Sequence, residues 1–220
     1  MDRQIINKRI TGIQSDVDKL VRTLHAMENT DPSKYPENYE MLSVDAAFRS
    51  ELITCRLRQL IYTTTNTKKS EYLASAGVIQ GIEINVDDGV LEITLPCLLP
   101  KKKQRRSTDY LIDPLYFTLS SYAANHKLPR FEQCVVCFSS IYDKELPLRR
   151  VRDYDNLELK QILDVVAAFV MLDDTGLLCD AYNTTELGDS DCTRITIMEK
   201  EHFPRWLEER KNTLQDISDF

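Results

Sequence analysis

The run Ile82-Glu-Ile-Asn-Val-Asp-Asp-Gly-Val-Leu-Glu-Ile-Thr-Leu95 alternates apolar and polar residues on both sides of a break at Asp87-Asp88-Gly89. Ile82, Ile84 and Val86 share one face going in, and Leu91, Ile93 and Leu95 share one coming back. A period of two around a Gly-containing turn specifies a β-hairpin. Upstream the repeat is different. Ile6, Ile10, Ile13, Val17, Leu20, Leu24 and Met27 are spaced by alternating steps of four and three, which is a heptad seam on a helix. Pro32 and Pro36 end that helix. A second is expected from Ser43 as N-cap, with Ala46, Ile53, Leu57 and Leu60 on one face. Together they read as a helical hairpin over roughly residues 1–65, within an N-terminal region taken as 1–75. The seam serves the chain's own packing, a contact between copies, or a protein partner.

Downstream of the hairpin, Pro96 and Pro100 bracket its exit, followed by Lys101, Lys102, Lys103, Gln104, Arg105 and Arg106. Asp113-Pro114 is a helix start, with Leu115, Leu119 and Tyr122 inward. A strand from Cys134 to Tyr142 follows, then the polar turn Asp143-Lys144-Glu145 and the basic residues Arg149, Arg150 and Arg152. A further helix is expected from near Asn156, with Leu159, Ile162, Leu163, Val166 and Val170 as its buried stripe. Strands near 177–184 and 193–198 and a polar helix from Phe203 complete the chain. The expected order is ββαβαββ over residues 76–200, with a C-terminal helix or tail at 201–220. That is an α+β fold, with helices packed on a mixed or antiparallel sheet.

The 220 residues carry 28 Lys+Arg against 35 Asp+Glu, a net charge of −7. With 42% hydrophobic and 29% charged residues, the composition is that of a globular chain rather than a disordered or collagen-like one. No apolar run approaches the roughly 18 residues of a membrane span, and MDRQIINKRI lacks a signal core, so a cytoplasmic protein is expected. No G-x-G-x-x-G or Walker-type loop occurs. Six cysteines are then read as reduced thiols. The Cys134-Val-Val-Cys137 spacing falls in a strand, and His25, His126 and His202 are scattered without ligand spacing.

The acids are not spread evenly. Ten of the 35 lie in residues 153–191, where Lys160 is the only base. Hard cations such as Mg²⁺ and Mn²⁺ take carboxylate oxygens together with water and substrate phosphate. A straight helix after Asp155 carries the chain about 22 Å away, so Asp173 and Asp174 reach Asp153 and Asp155 only if the chain turns back or a second copy completes the site. The alternative is that Asp155 caps the helix and the remaining acids are solvated surface.

The stretch Arg152-Asp153-Tyr154-Asp155-Asn156-Leu157, with Lys160, Asp164 and Leu172-Asp173-Asp174 after it, resembles the signature of the RusA Holliday-junction resolvases. Leu91-Glu-Ile-Thr-Leu-Pro96 is similar to that family's opening strand and its proline-rich exit, and the resemblance covers roughly residues 88–200. It implies Mg²⁺, with Mn²⁺ as a substitute, bound by Asp153, Asp155 and Asp174, with Asp173 in support. It also implies a catalytic or phosphate-contacting Lys160, and a homodimer that hydrolyses phosphodiesters in branched DNA. Lys160 lies five residues after Asp155, where the family has four, and residues 1–80 have no counterpart in its small members. Lys101, Lys102, Lys103, Arg105 and Arg106, with Arg149, Arg150 and Arg152, are the residues expected to hold the DNA backbone. A non-catalytic DNA-binding or adaptor protein on the same fold is the second expectation, and an RNA-processing hydrolase the third.

Overall fold

In the computed structural model, which describes residues 3–100 and 109–218, Pro36 rather than Ser43 opens the second helix. Proline at the first helical position has no N–H to leave unsatisfied, so it starts a helix more firmly than an interior serine does. Ser43 lies inside, its hydroxyl donating 2.8 Å to the Tyr39 carbonyl. The chain divides into two compact units after Lys69. The first holds α1 (Arg3–Glu28) and α2 (Pro36–Thr64), which run antiparallel. Ile13, Ala46 and Ile53 are buried between them. Two polar bridges fix their register: Thr23 Oγ1 donates 2.9 Å to Asp45, and Arg56 pairs with the buried carboxylate of Asp16.

The second unit begins with α3 (Lys69–Ile79), a helix that its sequence does not announce, because small residues rather than a repeating apolar stripe make its contact. Leu73 is buried, and Gly77 faces α4 so closely that a Cβ there would overlap Thr118 Oγ1 and come within 3.1 Å of the Pro114 carbonyl. The hairpin is β1 (Glu83–Asp87) and β2 (Val90–Leu95). Asp87 pairs with Val90 across it, and Asp88 (φ 45°) and Gly89 (φ 76°) are both left-handed, which is the geometry of a type I′ turn. The helix α4 (Asp109–Asn125) starts before the expected Asp113 and carries Pro114 within it. The extra turn buries Leu111 in line with Leu115 and Leu119, which offsets the single backbone bond that Pro114 cannot make.

Then come β3 (Cys134–Asp143), α5 (Lys160–Val170), β4 (Cys179–Gly188), β5 (Cys192–Glu199) and α6 (Phe203–Ser218). Residues 154–156 form a single 3-10 turn, so α5 begins at Lys160 and not at Asn156. The architecture is α+β. Its five-stranded mixed sheet has the order β1-β2-β5-β3-β4, in which only β3 and β4 are parallel. Alternation along β3 and β5 loads both faces. Cys134, Val136, Phe138, Ile195 and Ile197 join the core with α4 and α5, while Val135, Cys137 and Met198 face Phe203 and Trp206 of α6. The two thiols of the C-x-x-C therefore point to opposite sides of the sheet, where they serve as small core residues. All six cysteines are free, and burial pushes the Cys137 thiol up to about 12. Among the described residues no helix is long and apolar enough to cross a membrane.

Candidate functional site

The segment from Arg150 to Glu158 is irregular, and long-range hydrogen bonds hold it in place. The Arg150 guanidinium forks onto Asp191, with Nη1 donating 2.6 Å to Oδ2 and Nη2 pairing with Oδ1, and it lies over the Tyr142 ring. The Asp143 amide donates 2.8 Å to the same carboxylate. The Arg152 amide donates 3.0 Å to the Tyr142 hydroxyl, and its guanidinium donates 3.1 Å to the Leu99 carbonyl. Tyr154 and Thr185 hydroxyls lie 2.9 Å apart, and the Glu158 amide donates 2.9 Å to the Pro100 carbonyl. Four places are thereby tied together: the exit of β2, the end of β3, the middle of β4 and the start of β5.

Asp153 and Asp155 flank Tyr154 on this pinned turn. Both are exposed, and among the described residues neither carboxylate has a hydrogen-bond or ion-pair partner. Asp155 does not cap α5, whose N-cap is Leu159 without a side-chain bond. The lysine and the later acids form a separate group. Lys160 Nζ donates 2.9 Å to Asp164 and lies 3.7 Å from Asp174 Oδ2. That proximity means the chain does turn back after α5. Leu172 bonds to the Phe131 carbonyl, Asp173 accepts from the Thr175 amide at 3.2 Å, and Asp174 comes alongside the first turn of the helix. Its hydrogen bond to Asp164, followed by the charges of Asp164 and Asp174, raises the Lys160 pKa. The ammonium holds its proton more firmly than a free lysine.

Among the described residues no three His, Cys, Asp or Glu side chains converge as a metal site, so Asp153, Asp155 and Asp174 are not one cluster within a single chain. Of the basic residues, Arg149 is exposed and has no hydrogen-bond or ion-pair partner among the described residues, whereas Arg150 and Arg152 are engaged within the fold. Lys101, Lys102, Lys103, Arg105 and Arg106 lie outside the described residues. Sequence reasoning missed Tyr142, Thr185 and Asp191, the groups that position the turn. They lie 10, 31 and 41 residues from their partners, and no local spacing marks them.

A family model matches residues 2–220, nearly the full length, and its description is a family of unknown function, DUF6100. The chain belongs to the DUF6100 family. A search of curated proteins found no match. The DUF6100 site must therefore be judged on its donors. Asp153 and Asp155 offer hard oxygens without a partner among the described residues, the donor type Mg²⁺ takes when one or two carboxylates hold it and leave room for water and phosphate. Asp173 and Asp174 in this DUF6100 chain are already engaged, by the Thr175 amide and by Lys160.

The Arg150–Asp191 fork makes the stability of the DUF6100 fold sensitive to pH. The hydrogen bond from Arg150 holds the Asp191 carboxyl below its ordinary value, with smaller help from the Asp143 amide. A carboxylate lowered on folding stabilises the native state above its unfolded pKa, and that contribution is lost as pH falls through the lowered value. Asp191→Asn should therefore be less stable than wild type above about pH 4, and the difference should shrink on acidification. Urea midpoints from pH 7 down to pH 3 measure this, and a pH-independent difference would refute the assignment.

Proposed function

We propose that this protein is a divalent-metal-dependent endonuclease of branched DNA, RusA-like in its core and working as a homodimer. The observation that carries the reading is the pair Asp153 and Asp155, two carboxylates without a partner among the described residues, on a turn held by four parts of the sheet. A rigid site for a cation and a phosphate needs such support, because loosely held ligands cost affinity and geometry. The succession β1-β2-α4-β3-α5-β4-β5 also supports the reading, since it is the ββαβαββ order expected from the sequence, with β2 at the segment that resembles the family's opening strand.

The roles divide among the chain's own groups. Asp153 and Asp155 would hold Mg²⁺ or Mn²⁺, with Asp173 and Asp174 in support only where a second copy brings them to the ion, since within one chain they form a separate group. A divalent ion bound there supplies Lewis-acid neutralisation of the phosphodiester and a lowered pKa for water. Lys160 stays protonated between Asp164 and Asp174, so its part is to place a positive charge near the phosphate and not to act as a base. Arg149, with the tract from Lys101 to Arg106, would follow the DNA backbone, and binding by such groups weakens with salt.

The test is cleavage of a labelled four-way junction and of linear duplex by purified protein in Mg²⁺, Mn²⁺ or EDTA. The expected result is metal-dependent cutting of the junction, with the duplex spared. The second reading, a non-catalytic DNA-binding or adaptor protein, is favoured by one observation: no three carboxylates converge among the described residues. Junction binding without cleavage in either metal would establish it over the first. Preferential cutting of structured RNA would instead assign an RNA-processing role.

A further inference from the structure

Cys134 opens β3 and Cys179 opens β4, and the two are register partners across that parallel pair of strands. Partners in register leave a sheet on the same side, and both residues are buried in the core under α4 and α5. Neighbouring strands run about 4.8 Å apart, inside the ~4.4–6.8 Å between Cα atoms that a disulfide spans. The Cys134 thiol donates to the Cys179 sulfur, which holds Cys134 protonated and favours the thiolate on Cys179. That bond outweighs burial and the nearby carboxylates of Asp174 and Asp180. The Lys200 ammonium, paired with Asp180 at 2.8 Å, adds positive charge beside both thiols. Cys179 is also the more accessible, 8% exposed against 1%. Structural zinc asks for four ligands, and among the described residues no three His, Cys, Asp or Glu converge here. Two facing thiols without a third ligand suit two-electron oxidation instead.

We propose that Cys134 and Cys179 form an oxidisable pair, which a hydroperoxide converts to a disulfide joining the first residues of β3 and β4. With hydrogen peroxide, the Cys179 sulfur bonds to one oxygen, the O–O bond breaks, and the departing hydroxide takes the thiol proton and leaves as water. The Cys134 sulfur then bonds to the sulfur of the sulfenic acid so formed. The S–O bond breaks, and hydroxide takes the Cys134 proton as a second water. The two thiols have lost two electrons and two protons, and one peroxide has become two waters. The new bond closes residues 134–179 into a ring that contains Asp153, Asp155 and Lys160, so oxidation fixes both ends of the segment that carries the candidate site. Cys137 takes no part, because it lies on the opposite face of the sheet. The inference goes beyond the nuclease reading and does not depend on it, because it is measured without nucleic acid or metal.

Peptide mapping of the full chain, reduced, treated with hydrogen peroxide under native conditions and then alkylated, tests the proposal. The Cys134 and Cys179 peptides should be joined and lighter by two hydrogens, and dithiothreitol should restore both thiols. Cys137, buried and with its thiol pushed up to about 12, should stay reduced. Exposed Cys55 should oxidise without entering the link. The order of attack is read with dimedone, which captures sulfenic acids. It should trap Cys179 in Cys134→Ser at least about 10-fold more than it traps Cys134 in Cys179→Ser. Unchanged circular dichroism shows that both variants are folded, and the wild-type map stands without them. A wild-type chain with Cys55 oxidised and both Cys134 and Cys179 still reduced would overturn the proposal and leave the two as core residues. A link from either to a different cysteine would overturn the pairing. Preferential trapping of Cys134 would overturn the order of attack.

Discussion

On the proposed nuclease reading, Asp155→Asn should lower Mg²⁺-dependent junction cleavage by about three orders of magnitude, equivalent to ~4 kcal/mol of transition-state stabilisation. Asparagine keeps the size and most of the shape of the side chain but gives up the charge that attracts a hard cation. Asp153→Asn should have the same effect, because both carboxylates are exposed, have no partner among the described residues and lie on one turn. Junction binding in EDTA should persist in both variants, since removing a negative charge does not weaken direct contacts to phosphate. Asp173→Asn costs much less, as Asp173 already accepts a bond from the Thr175 amide and stands apart from the pinned turn. Single-turnover cleavage beside gel-shift affinity separates the two quantities. An Asp155→Asn protein that cuts at the wild-type rate would remove the pair from the chemistry.

Leu115→Ala destabilises the fold by about 3–4 kcal/mol. Leu115 is fully buried on α4, in the cluster formed by that helix, α5 and the sheet. Truncation loses the transfer free energy of the removed carbons and leaves a cavity, which helices packed on a sheet close only in part. In a domain whose whole stability is about 5–15 kcal/mol, such a loss shifts the urea midpoint strongly, with the slope unchanged. Leu148→Ala is the control. Leu148 is 62% exposed, and its truncation changes stability by no more than about 0.5 kcal/mol. Comparable losses in the two variants would refute the assignment of the core.

The hairpin was legible because two simple periods met at residue 82, and the I′ turn needed only Asp88-Gly89. The stripes of α4 and α5 were equally plain, as Leu115, Leu119, Ile162, Val166 and Val170 are all buried. Helix starts were less so. Asp113-Pro114 carries the signal of a first turn, yet burial of Leu111 extended α4 beyond it, and Pro36 outranked Ser43. The helix α3 was missed because close approach at Gly77, and not an apolar repeat, makes its contact. At the site, the acids could be picked out by their density. What holds them could not, because Arg150–Asp191 and Tyr154–Thr185 join residues that only the finished sheet brings together. The return of Asp174 to Lys160 was equally hidden, since it depends on Phe131 receiving the chain after α5.

The position of β5 has a consequence for how the molecule is made. The last strand of the sequence lies between β2 and β3, at the centre of the sheet. While the ribosome is still synthesising residues 192–199, the β1–β2 ribbon and the β3–α5–β4 crossover exist without the strand that joins them, and each shows an open edge. Closure at the centre waits for residues 192–199, a long-range pairing of the kind that slows folding. Because Asp191 stands at the threshold of that strand, the clasp on Arg150 shuts only after a further 41 residues have been added. Until residues 191–199 have emerged, the turn that carries Asp153 and Asp155 lacks one of its four anchors.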